Sequence, residues 1–123
     1  MARILLVEDH KALATLRCAI LEQRGHETVC AQDGFEACSL LAQEPFDLVI
    51  TDAELPRGSG REVTAAAKKN HLPVILSTGW PHRATGQTGA DFVAIKPCSV
   101  ADFLALVDRA LEMPREKLSG FRG

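Results

Sequence analysis

The sequence predicts an α/β domain in which helices cover both faces of a five-stranded parallel sheet. Three observations predict it. Short apolar runs, rich in β-branched residues, recur along the chain: Ile4 to Val7, Leu48 to Ile50, Val74 to Ser77 and Phe92 to Ile95. Such runs are too brief for buried helices and suit strands covered on both faces. Longer stretches of helical period separate them, and that alternation requires parallel pairing through right-handed crossovers. The 123 residues, 46% of them hydrophobic, suffice for one domain around its own core.

Taken in order, Ile4 to Val7 forms the first strand and stops at Glu8-Asp9. Lys11 to Arg24 forms the first helix, with Leu13, Leu16 and Ile20 as its inner face and Gly25 just past its end. Glu27 to Ala31 is the second strand, more polar and therefore nearer an edge. Asp33-Gly34 opens the second helix, which turns Ala37, Leu40 and Leu41 inward and ends at Pro45. Leu48 to Ile50, the third strand, runs into a loop bearing Pro56, Gly58 and Gly60. The third helix covers Arg61 to Lys69, with Val63, Ala66 and Ala67 as its apolar stripe. Pro73 precedes the fourth strand, which ends at Thr78-Gly79. Between Trp80 and Asp91, the residues Pro81, Gly86 and Gly89 oppose a full helix. The fourth helix is therefore short or irregular, a turn or so around His82 to Gln87. Phe92 to Ile95 is the fifth strand and ends at Lys96-Pro97. Ser99 caps the last helix, Asp102 makes an imperfect capping box, and Phe103, Leu104, Val107 and Leu111 face inward. Pro114 stops it, so the domain spans 1–113 and 114–123 is a tail or linker stub. Five such units suit a flavodoxin-like three-layer sandwich of strand order 2-1-3-4-5, with strands 1 and 3 adjacent at the topological switch point.

Charge and cysteine usage narrow the function classes. A net charge of −2 gives no electrostatic case for direct nucleic-acid or anionic-membrane binding. The four cysteines, Cys18, Cys30, Cys38 and Cys98, match no zinc spacing and are expected to be small buried hydrophobes with reduced thiols. Cys98, beside the edge discussed next, is the one to watch for oxidation. No export signal opens the chain, because the apolar run after Arg3 meets two acids almost at once. No run approaches membrane-spanning length. The chain reads as cytoplasmic.

The carboxyl ends of four strands carry groups capable of chemistry: Glu8 and Asp9, Asp52, Thr78, and Lys96. An acid after a strand ordinarily caps a turn; its companions on one sheet edge change that reading. At roughly 4 Å and an effective dielectric near 20, each like-charged pair costs about 4 kcal/mol. Lys96 cannot offset three carboxylates, so a hard divalent cation is expected, and Mg²⁺ fits because it keeps waters that phosphate can replace. Asp52 is then a carboxylate nucleophile able to form an acyl phosphate. Thr78 donates its hydroxyl to one phosphoryl oxygen and Lys96 pairs with another.

In these features the chain resembles the receiver domain of two-component response regulators over about residues 3 to 112. The resemblance rests on Glu8-Asp9, on Asp52, Pro56 and Gly60 in an Asp-x-x-x-Pro-x-x-x-Gly pattern, on Thr78-Gly79, and on Gly89-Ala90-Asp91 leading to Lys96-Pro97. It implies that Asp52 is the phosphoacceptor and that Glu8 and Asp9 hold Mg²⁺ with the backbone carbonyl of Glu54. It also implies a phosphohistidine donor on a sensor histidine kinase or phosphotransfer protein, and output through a downstream protein or a second copy of the chain. Such a chain is a signalling switch rather than an enzyme, catalysing only its own phosphotransfer and slow hydrolysis. The alternatives are a receiver-like binding module that works without phosphorylation and an aspartate-nucleophile phosphatase. The latter wants an Asp-x-Asp after its first strand, which is absent here.

Three departures from the family stand out. Val93 occupies the position where an aromatic residue usually follows the switch threonine, and Phe92 should face the other side by strand alternation. The Thr78-to-Lys96 interval is short by about one helical turn, which alters the usual output face. Glu54 and Trp80 flank the pocket where water would reach the acyl phosphate, which predicts slow dephosphorylation. His10 is expected to be a solvated residue at the helix start rather than a ligand.

Overall fold

A computed structural model of the chain describes residues 1–80 and 89–114. Its elements are β1 (Arg3–Val7), α1 (Lys11–Gln23), β2 (Glu27–Ala31), α2 (Gly34–Gln43), β3 (Leu48–Asp52), α3 (Gly60–Lys69), β4 (Val74–Thr78), β5 (Phe92–Ile95) and α4 (Val100–Leu111). Here α4 is the fourth helix among the described residues. The short helix expected at His82 to Gln87 and the tail beyond Pro114 lie outside them. All neighbouring strands pair in parallel, in the order β2-β1-β3-β4-β5. The predicted order therefore holds. No helix among the described residues is long and apolar enough to cross a membrane.

Strand alternation divides the core into two layers. Ile4, Leu6, Leu48, Ile50, Ile75 and Ala94 point to one face, where Leu21 of α1 and Phe103, Val107 and Ala110 of α4 cover them. Leu5, Val7, Val49 and Val74 point to the other, under Ala37 and Leu41 of α2 and Val63 and Ala67 of α3. The burial of β1, β3 and β4 on both faces follows from this sandwich and explains their unbroken apolar runs.

The predicted starts of α1, α2 and α4 hold, α3 begins one residue earlier than expected at Gly60, and each is capped through a side chain. Asp33 accepts from the Glu36 amide, Ser59 from Glu62 and Ser99 from Asp102. His10 caps α1, its Nδ1 accepting from the Leu13 amide at 3.3 Å.

Three expectations need correction. β3 and β4 run on to Asp52 and Thr78, because Asp52 still pairs with Ser77 and Thr78 with Ile95. The inner face of α1 is not the one that hydropathy suggested: Leu16 is 53% exposed, whereas Arg17 and Leu21 are buried. The helix is turned so that the Arg17 guanidinium lies 4.7 Å over the Phe103 ring, a cation–π contact that satisfies a charge hydropathy would place outside. Finally, none of the cysteines is a core residue. Cys30 is exposed, and Cys18, Cys38 and Cys98 are half-buried because they pack against the two core layers from outside.

Candidate functional site

Register assembles the site. Val7 pairs with Thr51, so Glu8 and Asp52 leave β1 and β3 at the same level. Asp52 pairs with Ser77, which sets Thr78 one residue beyond it, and Thr78 pairs with Ile95, which sets Lys96 next in line. Four consecutive strands of the sheet thus deliver their end residues to one edge, as open α/β sheets do at a switch point.

The acids converge as expected. Carboxylate oxygens of Glu8, Asp9 and Asp52 lie within 4.8 Å of one another. Glu8 and Asp52 are buried, at 3% and 5% exposure, while Asp9 is open to solvent. Lys96 Nζ donates to Asp52 Oδ2 at 3.0 Å and stands 3.9 Å from Glu8 Oε1. The His10 amide donates to the other Glu8 oxygen at 3.2 Å. Burial, and then the neighbouring Asp52 charge, push the Glu8 carboxyl above its ordinary range. Lys96, the His10 amide and Arg17 oppose the rise.

Two buried oxygens, Glu8 Oε1 and Asp52 Oδ1, have no hydrogen-bond partner. Buried carboxylate oxygens are rarely left so, because each forfeits the water it had in the unfolded chain. Both belong to the acid cluster, and a hard divalent cation with oxygen ligands fits what they lack.

The loop after β3 is shaped around the site. Gly60 opens α3 against the turn that follows Asp52. A Cβ there would collide with the Asp52 carbonyl oxygen and stand 2.7 Å from the Ala53 Cα. The glycine of the Asp-x-x-x-Pro-x-x-x-Gly pattern is therefore a packing requirement. Asp91 plays a similar part at the start of β4, where its Oδ2 accepts from the Val74 amide at 2.8 Å and pairs with Lys68 at 2.7 Å. A cis peptide joins Lys96 to Pro97.

Thr78 is fully buried, and its hydroxyl lies 3.5 Å from each Glu54 carboxylate oxygen while accepting from the Trp80 amide at 3.0 Å. Glu54 therefore reaches toward the pocket through its side chain. The Trp80 side chain is 53% exposed. On β5, Phe92 packs beneath α4 with the Arg109 guanidinium 5.0 Å from its ring, in keeping with its expected side of the sheet.

Arg17 is the residue that sequence reasoning missed. Its guanidinium is buried and reaches Ser77 Oγ at 3.4 Å, directly before Thr78. It adds a second cation beneath the acids, where the sequence offered Lys96 alone. No local pattern marks it; the signal was a lone basic residue, one position from the apolar spacing of its helix.

Comparison with known proteins agrees with this geometry. A family model described as the response regulator receiver domain matches residues 4–108. The response regulator protein TrrA from Thermotoga maritima, solved in complex with Mg²⁺ and BeF, is 30% identical, with a TM-score of 0.83 over 90% of this chain and 100% of that one. A CheY-like receiver domain protein from Methanospirillum hungatei is 29% identical, with a TM-score of 0.84 over 95% of this chain and 98% of that one. Among curated proteins, the CAI-1 autoinducer sensor kinase/phosphatase CqsS of Vibrio cholerae is 35% identical over 82 residues. That stretch is 63% of this chain but only 12% of the relative's length. With sheet order, acid cluster and family match in agreement, the chain belongs to the response regulator receiver domains.

Proposed function

We propose that Asp52 accepts a phosphoryl group from a phosphohistidine on a sensor histidine kinase or phosphotransfer protein in the cytoplasm. The modified chain then changes its contact with a downstream protein. The observation that carries this reading is the pair of buried, unpartnered oxygens in a three-carboxylate cluster whose Asp52 is clasped by Lys96 at 3.0 Å. Glu8, Asp9, Asp52 and the Glu54 backbone carbonyl would hold Mg²⁺. When bound, the ion supplies charge neutralisation between the attacking carboxylate and the phosphoryl oxygens.

The chain's own residues do the remainder. Lys96 fixes the Asp52 carboxylate through one oxygen, which orients it for attack. A carboxylate oxygen bonds to phosphorus as the bond from phosphorus to the donor's imidazole nitrogen breaks, and the imidazole takes up a proton. Lys96 then pairs with a phosphoryl oxygen. The Thr78 hydroxyl, which now faces Glu54, turns to donate to another. Arg17 holds the end of β4 from below through Ser77.

Incubation with a small phosphodonor and Mg²⁺, followed by intact mass measurement, tests the reading. One added phosphoryl group, abolished in Asp52→Asn, is the expected result. Absence of any label, undiminished labelling of Asp52→Asn, or multiple-turnover release of phosphate would each overturn it.

A further inference from the structure

We propose that Cys18 and Cys30 form a reversible disulfide across the contact between α1 and β2, by exchange with small disulfides that enter the groove beside them. The two residues come from different elements, 12 positions apart in the chain. Their side chains nevertheless line one groove and interact across it.

The juxtaposition is built into the geometry of the layer. Thr28 of β2 donates its hydroxyl to Glu22 of α1 at 2.8 Å, which fixes one rung of the contact. Cys30 lies two residues further along β2 on the same face, an advance of about 6.6 Å. Cys18 lies four residues back along α1, one turn nearer the helix start and about 6 Å away. A crossover helix runs antiparallel to its strand, so these two steps go the same way and match in length. The two cysteines thus occupy the next rung, and the Thr28–Glu22 bond holds the helix and the strand in register.

Access distinguishes this pair from the other cysteines. Cys18 and Cys30 both line a surface groove of about 570 Å³, which also touches Lys11, Thr15, Glu22 and Gln32. Cys30 is exposed at its rim. Cys38 instead directs its thiol to the Glu62 carbonyl, and Cys98 lies half-buried near Arg17, outside that groove. A metal is the poorer occupant for the pair. Among the described residues the only group of three or more ligand side chains is the acid cluster, so the two thiols lack the further donors that zinc requires.

The chemistry balances without any other reagent. One thiolate of the pair attacks one sulfur of the small disulfide, whose S–S bond breaks and whose other half leaves as a thiolate that takes up a proton. The second cysteine then loses its proton and attacks the sulfur of the first, expelling the second small thiol. Two cysteine thiols are oxidised to one disulfide, and one small disulfide is reduced to two thiols.

The test uses the folded 123-residue chain and oxidised glutathione, followed by acid quench, unfolding, alkylation of remaining thiols and intact mass. The expected product carries no glutathione, takes two fewer alkyl groups than the reduced protein, and yields a peptide joining Cys18 to Cys30. Cys30→Ser should stop at a glutathione adduct on Cys18, and Cys18→Ser should form no internal bond. In denaturant the pairing should spread to Cys38 and Cys98. The proposal is overturned if the native protein ends as a mixed adduct, pairs through Cys38 or Cys98, or joins two chains. It is equally overturned if Cys18 to Cys30 forms no more readily folded than unfolded.

Discussion

Glu54 stands where one side chain would set the lifetime of the proposed acyl phosphate. Its carboxylate sits 3.5 Å from the Thr78 hydroxyl, the group that would donate to a phosphoryl oxygen. Under the proposed phosphorylation that carboxylate would leave the hydroxyl yet remain at the mouth of the pocket, where it would repel hydroxide-like character in an attacking water. Glu54→Ala should therefore hydrolyse its acyl phosphate about three- to tenfold faster, an effect of the size expected when one charge near a reacting centre is removed. The decay of labelled protein in the presence of Mg²⁺ measures it, and an unchanged rate would remove Glu54 from the account. The sequence placed Glu54 beside the pocket, since it lies two residues after Asp52. It could not place the carboxylate against Thr78, because that contact joins loops of different strands.

At the scale of the element, the turn between β3 and α3 is the most tightly specified part of the fold. Ser59 caps α3, and the Gly60 amide donates to the Ala53 carbonyl at 3.1 Å, which draws the helix start onto the turn. Thr64 adds a hydroxyl bond to the Gly60 carbonyl at 2.8 Å from inside the helix. Because the atoms facing Gly60 are backbone, a methyl group there cannot be relieved by a rotamer change. Gly60→Ala should cost ~2 kcal/mol in denaturant unfolding, in the range of other core overpacking substitutions. It should also displace Asp52, so labelling by a phosphodonor should fall with it. Proline and glycine spacing made this turn readable in the sequence. The rotation of α1 was not readable. Its apolar spacing pointed to Leu13, Leu16 and Ile20, and only the distant Phe103 ring and Ser77 hydroxyl make burial of Arg17 the better solution.

For the whole molecule, the acid cluster makes stability depend on metal and pH together. Glu8 has its carboxyl raised by burial and by Asp52, so the metal-free folded chain binds a proton there more tightly than the unfolded chain does. A raised carboxyl contributes stability that is fully present below the ordinary carboxylate range and is lost as pH climbs through the raised value. Without Mg²⁺, Glu8→Gln should therefore be more stable than the native protein near neutral pH, and the gap should shrink on acidification. With Mg²⁺ the order should reverse, since the proposed ion site exists only in the folded chain. Thermal melts of both proteins at about pH 5 and about pH 7.5, with and without the ion, report these signs. A native protein more stable than Glu8→Gln in chelator at neutral pH would contradict them.

The alternation of apolar runs with helical stretches was sufficient to define the layers and a parallel sheet, because short-range periodicity and the handedness of crossovers are local properties of the chain. The strand order, and with it the edge on which Glu8, Asp9, Asp52, Thr78 and Lys96 gather, was legible through the flavodoxin-like arrangement that five such units suit. Strand pairing and helix rotation decided the rest: the 3.0 Å contact of Lys96 with Asp52, the guanidinium of Arg17 under the site, and the placing of Cys18 and Cys30 in one groove. These depend on how whole surfaces pack. A one-residue slip in register or a modest turn of a helix leaves the sequence pattern unchanged and moves every such contact apart.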